Sequence, residues 1–429
     1  MENNKMNNAK ESASRLTDDE IVHMVKEKPG ESMLANTPLK KRLSEIVPTT
    51  TRKLIVVGCG DGGCNIASAI ANRIPDETFT IAYNTSDRNI QKITADTRIV
   101  ATLEKDEEEE SMLTKPVDGA GRVRDYSQDL FRDPDTHRNL FKTIYEQLPA
   151  DYILVCGTCG GGTGSGTGPL LASLLRSNLD VPVIMLGVFP STSEDATSQY
   201  NSIDWMSEVI QEGVPYIILD NNVEGTPMSM HRVHEKVNQM AADIAALLAG
   251  TEYGNSTISI IDNRNLYMLL QELGGRIVVG ISSTRPTSGQ TLDDYILNML
   301  KNNYQPEPSN VRGIGVFVKG PKEMLDRMDT SIPKVQETYG YGVLNFAHIE
   351  ESQDVKIAIL LTGCSEPVER MVQIKNRHDD VLRSQQEAET VAVEMATSIA
   401  NPLKNFTKKK STKKTLNMDS LNLGALKKQ

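Results

Sequence analysis

Short runs of apolar and β-branched residues recur along this chain, separated by turn residues or by stretches with helical spacing. The pattern predicts strands at Leu54–Val57, Phe79–Tyr83, Tyr152–Cys156, Val183–Phe189, Tyr216–Leu219, Ser256–Ile261, Arg276–Ile281, Gly313–Val318, Gly342–Ile349 and Lys356–Leu361. Helices are expected from about Asn65 to Arg73, over Pro169–Leu175, from Ser229 to Leu248 with Gly250 as the stop, from beyond Asn265 to about Leu273, and from Pro321 to about Met328. Beyond Glu366 a long polar pattern with alternating charges predicts a helix on the outside of the body that runs to about Ser398, where Asn401-Pro402 ends it. Strands alternating with helices predict an α/β fold. Two weaker helical patterns, Asp18–Lys26 and Pro38–Ile46, precede the first strand.

The densest chemistry lies in Asp151–Leu175, DYILVCGTCGGGTGSGTGPLLASLL. A buried strand runs into glycines at 157, 160, 161, 162, 164, 166 and 168, with Thr158, Thr163, Ser165 and Thr167 between them, and then into a helix. Glycines that adopt positive φ would turn several N–H groups inward and the hydroxyls would add donors, so strand, nest and helix start make a polyphosphate site. A second segment, Gly58-Cys59-Gly60-Asp61-Gly62-Gly63 with Asn65 at the helix start, fits G-x-G-x-x-G. Alone it points to an NAD(P)-binding Rossmann oxidoreductase, which would leave the other glycine run unexplained. No segment fits G-x-x-x-x-G-K-[ST], which disfavours the P-loop classes.

Gly160-Gly161-Gly162-Thr163-Gly164-Ser165-Gly166 resembles the signature loop of the tubulin and FtsZ superfamily, and the resemblance extends over about residues 52–363. It implies a Rossmann-like GTPase domain with a parallel sheet, a long central helix, a second α/β domain, a C-terminal helix and a basic tail. The segments are then 1–50 as an N-terminal extension, 51–228 as the GTP-binding domain, 229–250 as the central helix, 251–365 as the second domain, 366–400 as the C-terminal helix and 401–429 as the tail. The bound nucleotide is GTP or GDP with Mg2+, and subunits polymerise head to tail.

Site residues carry over by position. Gly119-Ala120-Gly121 resembles the loop over the γ-phosphate, with Arg122 and Arg124 beside it either as phosphate contacts or as surface arginines. Asn84 belongs to an Asn-Thr-Ser-Asp loop in which Ser86 takes the place of the family's acid and Asp87 follows one residue later. Glu194, with Asp195 next to it, is expected at the ribose. Asn221 and Asn238 are expected at guanine, with His234 as a competitor to the latter. The family's N-x-D-x-x-D loop acts on the neighbouring subunit's nucleotide; here it reads I-x-D-x-x-N, which leaves Asp262 as the catalytic acid and Asn265 as a neutral partner. Tyr200-Asn201 is similar to the tubulin side of the superfamily, and the tail to its plasmid- and phage-encoded branch, whose filaments segregate or position DNA.

Composition narrows the partners. The 429 residues carry a net charge of −11, so the body itself is not a nucleic-acid or anionic-membrane binder, whereas Lys404, Lys408, Lys409, Lys410, Lys413 and Lys414 make the tail basic enough for DNA or a DNA-bound adaptor. No run of eighteen apolar residues and no signal-peptide pattern occurs, which predicts a cytoplasmic protein that binds no membrane. Cys59, Cys64, Cys156 and Cys159 all fall in the glycine segments; they read as small buried or loop cysteines in preference to a zinc site, because thiolates would crowd a polyphosphate.

Overall fold

The computed structural model describes residues 52–101, 119–222, 228–250 and 263–407, apart from 288, 302, 327, 329 and 330. The expected strand at Ser256–Ile261, the acidic run Glu104–Glu110, the N-terminal helical patterns, Asp262 and the lysines from 408 onward lie outside the described residues.

Ten strands form one sheet: β1 (Arg52–Cys59), β2 (Thr78–Asn84), β3 (Thr97–Val100), β4 (Ala150–Thr158), β5 (Val183–Phe189), β6 (Tyr216–Asp220), β7 (Arg276–Ser282), β8 (Gly313–Gly320), β9 (Leu344–Glu351) and β10 (Lys356–Cys364). Their spatial order is β3-β2-β1-β4-β5-β6-β7-β10-β8-β9. From β3 to β7 every pairing is parallel, whereas β10 runs antiparallel to both β7 and β8. Parallel strands need crossovers, and helices therefore cover both faces. On one face Ile66, Ala67 and Ile70 of the first helix (Gly60–Arg73) join Val237, Ile244 and Leu248 of the central helix (Met230–Leu248) in a single core. On the other face Leu171 and Leu175 pack with Leu130, Phe131 and the fully buried Trp205.

The central helix begins as its sequence suggests: the Ser229 hydroxyl accepts from Arg232 N, and Gly250 just past the end takes φ +69°. Elsewhere the structure revises the expectations. The first helix starts at Gly60, and the glycine-run helix spans Thr163–Asn178, six residues ahead of Pro169. Its Pro169 sits at the seventh helical position. The helix expected over Pro321–Met328 is a single turn, Lys322–Leu325. Glu366 is followed by a helix over Val368–Thr407 that passes through Asn401-Pro402, and its start is not polar surface: Arg370 and Ile374 are buried. The compact unit that holds the sheet ends at His378, so the rest of this helix, from Asp379, belongs to a second unit.

Candidate functional site

In the order β3-β2-β1-β4-β5-β6 the direction of sequence progression reverses between β1 and β4. A crevice opens beyond the carboxyl ends of strands at such a switch point. Both glycine segments leave from this place, since Cys59 of β1 lies opposite Gly157 of β4.

The two segments interlock backbone against backbone. A Cβ on Gly58 would fall 2.4 Å from Gly63 O, one on Gly63 2.3 Å from Cys156 O, and one on Gly164 2.9 Å from both Cys59 O and Thr158 N. Among Gly157 to Gly168 none has positive φ; in the first segment only Gly60 does, at +72°. The glycine run is therefore a close-packing device, and the expected positive-φ nest is replaced by the start of a helix. A Cβ on Gly166 would meet Arg124 O at 2.7 Å, and one on Gly162 the Arg122 Cα at 2.9 Å.

Two helix N-termini thus converge. Neither Cys59 nor Gly162, the residues that precede them, caps its helix with a side chain, and the Thr163–Asn178 helix has no acid in its first turn. Unsatisfied N–H groups and the positive ends of two helix dipoles favour a polyanion here. Ser165 donates to the Gly161 carbonyl and is spoken for, while Thr163 and Thr85 hydroxyls share a 2.8 Å hydrogen bond that ties the β2 loop to this helix.

Asp61 stands exposed in the first turn beside them. Asn84 Nδ2 donates to its Oδ1 at 2.7 Å and Asn89 Nδ2 to its Oδ2 at 2.8 Å. Asp87 instead accepts from Gln91, just past the end of its one-turn helix Asp87–Ile90, and Asn65 is exposed on the first helix. Gly119 N donates to Thr85 O, and Gly119, Gly121 and Arg122 all take positive φ in the loop that carries Ala120. The two neighbouring arginines part ways. Arg124 is buried, donates to Asn201 O and pairs with Glu208 at 2.5 Å, which makes it structural. Arg122 is half-exposed and pairs with Asp195 across the mouth of the crevice.

Around the ends of β5 and β6, Glu194 Oε1 accepts from Ser191 N, so that carboxylate shapes its own loop, and Asp195 caps the helix over Ala196–Gln211. Asn221 follows β6 directly; it is buried and its Oδ1 accepts no hydrogen bond among the described residues. Asn238 is half-buried next to the core-facing Val237 of the central helix, and His234 one turn earlier is exposed. Asn265 lies in the helix Asn263–Tyr267, immediately after the undescribed Asp262.

All four cysteines are buried and unbridged. Burial raises the Cys59, Cys156 and Cys159 thiols and pushes Cys64 up to about 12, so they are protonated core side chains at neutral pH.

Comparison with known proteins agrees with this architecture. Residues 53–223 match the sequence description of the Tubulin/FtsZ family, GTPase domain. Over residues 53–223 the chain is thus similar in sequence to a tubulin/FtsZ-family GTPase domain. It is 25% identical to the tubulin-like protein CetZ2 of Haloferax volcanii over 289 residues, 64% of this chain and 77% of that one. Against cell division protein FtsZ 1 of Pyrococcus abyssi the identity is 22% over 361 residues, 80% and 90% of the two chains. Two solved structures share the fold: a GTPγS-bound protofilament of CetZ2 (TM-score 0.60, 20% identity, 79% of this chain and 99% of that one) and phage c-st TubZ of Clostridium botulinum (TM-score 0.60, 14%, 78% and 100%). The expected tubulin/FtsZ fold and GTPase class are met; the narrower likeness to the plasmid and phage branch is not singled out, since the sequence relatives are CetZ and archaeal FtsZ proteins while TubZ is a neighbour in fold.

Sequence reading missed the side chains that hold the site together. Asn89 on Asp61, Thr85 on Thr163, and Asn201, whose Nδ2 donates to Arg122 O and Gly160 O, all act across long sequence separations. The local signals for them were the Asn84-Thr85-Ser86-Asp87 loop and the Tyr200-Asn201 pair, and neither told which atoms these residues bond.

Proposed function

We propose that this tubulin/FtsZ-type GTPase binds GTP with its phosphates on the two interlocked helix N-termini and assembles head to tail into filaments whose contact completes the catalytic site. The single observation that carries the reading is the convergence of two uncapped helix starts at the strand-order reversal.

In this reading Gly60 to Gly63 and Gly160 to Gly166 receive the phosphates, and Gly119-Ala120-Gly121 closes over the terminal one. Asp61 is the carboxylate placed to hold magnesium-bound water, its two oxygens already oriented by Asn84 and Asn89. Glu194 and its loop border the ribose. Asn221 offers an unfilled acceptor to the purine edge, with Asn238 as second amide. Segment 251–365 acts as the activating domain, presenting Asp262 and Asn265 to the next subunit's GTP.

Purine choice tests the base assignment. An unmatched buried amide costs about 1–3 kcal/mol, so GTP should outcompete ATP by roughly tenfold or more, and Asn221→Ala should erase most of that margin. Equal displacement of a fluorescent nucleotide by GTP and ATP in the parental protein would exclude Asn221 as a guanine reader. Assembly is tested by sedimentation and negative-stain microscopy: filaments are expected with GTP and not with GDP, and pellets that ignore the nucleotide would break the link between site and polymer.

The cargo we assign is DNA, directly or through a DNA-bound adaptor, because residues 404–429 concentrate the positive charge of an otherwise acidic chain. The names of the sequence relatives, which include cell division proteins, favour a cell-division filament as the second reading. Deleting 404–429 should leave GTP turnover nearly intact and remove salt-sensitive co-sedimentation of filaments with DNA. Filaments that pellet no DNA at low salt even with the tail would favour the second reading.

A further inference from the structure

The start of the terminal helix reaches across 150 to 185 residues of sequence to the edge of the nucleotide crevice, and nothing in the phosphate or base assignments uses it. Arg370 is buried, and its guanidinium spans the ends of two strands. Nε donates to Asp220 Oδ2 at 2.6 Å, and Nη2 donates both to Asp220 Oδ1 at 3.0 Å and to Pro190 O at 2.7 Å. Asp220 ends β6 immediately before Asn221, and Pro190 opens the loop that contains Glu194.

The same helix face continues the grip. Ile374, one turn on, is buried. Two turns on, Arg377 Nε donates to Thr192 O at 2.8 Å, and His378 Nδ1 lies 3.0 Å from Ala196 O, with its ring against Tyr200. Positions 370, 374, 377 and 378 share one side of a helix. That side therefore binds three carbonyls of the 190–196 loop and the carboxylate at the tip of β6. A fork of fixed geometry, bonded to Asp220 and the Pro190 carbonyl at once, adds to the β5–β6 ladder an oriented tie that a lysine's point charge does not supply.

We infer that Arg370 is a positioning residue for guanine selection: the first turns of the terminal helix form the outer wall of the nucleotide site, holding Asn221 and the ribose loop in register. This rests on the assignment of the purine to Asn221. Without the fork the tip of β6 and the loop stay tied by bonds such as Asn221 N to Phe189 O and Thr192 Oγ1 to Asn222 Oδ1, and this looser junction degrades discrimination between bases as well as affinity. A role in folding alone would lower stability and leave the ratio of GTP to ATP affinity where it was.

The test compares full-length parental protein with Arg370→Met, Arg370→Lys, Arg377→Ala and Asn221→Ala, measuring GTP and ATP affinity by competition and GDP release by stopped flow. Arg370→Met should weaken GTP by about tenfold and ATP by much less, narrowing the ratio; Arg370→Lys should recover only part of it. Arg377→Ala removes one exposed contact and should accelerate GDP release by about threefold in a fully folded protein, which keeps the idea exposed to failure if Arg370→Met does not fold. A parental GTP:ATP ratio in folded Arg370→Met overturns the inference, as does unchanged GDP release in Arg377→Ala when Arg370→Met is unfolded. A narrowed ratio in Arg370→Met beside a parental ratio in Asn221→Ala upholds the wall and rejects Asn221 as the purine reader.

Discussion

Gly164→Val is expected to abolish measurable GTP binding in a protein that still folds. The added carbon would sit 2.9 Å from Cys59 O and Thr158 N and 3.0 Å from Thr158 O, all main-chain atoms at the ends of two hydrogen-bonded neighbouring strands. No side chain can rotate away, so the helix start must shift outward and carry its N–H groups with it. Overpacking of this kind costs about 1–3 kcal/mol, within the 5–15 kcal/mol by which domains are stable. Losing two charge-assisted hydrogen bonds to phosphate costs about 3–6 kcal/mol, or roughly 100-fold or more in affinity. Gly168→Ala is the matched control: there the added carbon meets only the flexible end of Met185, Cε at 2.6 Å and Sδ at 3.6 Å. Calorimetric titration with GTP, alongside thermal melts of both variants, checks this. Parental affinity in Gly164→Val would remove the glycine helix from the phosphate site.

Asp262→Ala should slow GTP turnover by on the order of 100-fold while filaments still form and then fail to disassemble. Phosphoryl transfer to water depends on positioning and on charge stabilisation, and Asp262 is the acid remaining in a loop where the resemblance expects two. Asn265→Asp, which restores the second acid, should speed turnover and shorten filament lifetime. Phosphate release measured above and below the concentration at which filaments appear separates the outcomes. If Asp262→Ala hydrolyses GTP at the parental rate, the catalytic group lies within one subunit and the contact mechanism is wrong.

What was legible in the sequence follows the range of the interactions involved. β5 lies where its apolar run stands, Val183–Phe189, because Pro182 and Pro190 bracket it and both its faces are buried. β4 extends past its apolar run to Ala150 and Thr158 because ladder bonds to β1 and β5 continue there irrespective of side chain. The start of the Thr163–Asn178 helix was hidden for a different reason. Glycine, serine and threonine are poor helix formers, so local preference delays the helix to Pro169, whereas contact of Gly164 and Gly166 with Cys59 O and Arg124 O fixes it six residues earlier. The helix over Ala196–Gln211 escaped because Gln199, Asn201 and Ser202 occupy buried positions, where each donates a hydrogen bond to a carbonyl. The glycine segments announced the phosphate site by composition. The amides around Asp61 and the guanidinium on Asp220 became visible only once the fold had brought distant residues together.

The sheet has its longest ladder between β8 and β9 and its shortest where β6 meets β7. That junction has two residue pairs, Tyr216 with Arg276 and Ile217 with Ile277. Beside the junction the buried Arg276 donates from Nη1 to Glu307 O and Ser365 O and from Nη2 to Pro306 O, none of them on β6, and burial pushes its pKa down to about 10. With two residue pairs against five at β5–β6 and seven at β7–β10, this seam has the fewest ladder bonds to break, and amide exchange across the sheet is expected to open there first.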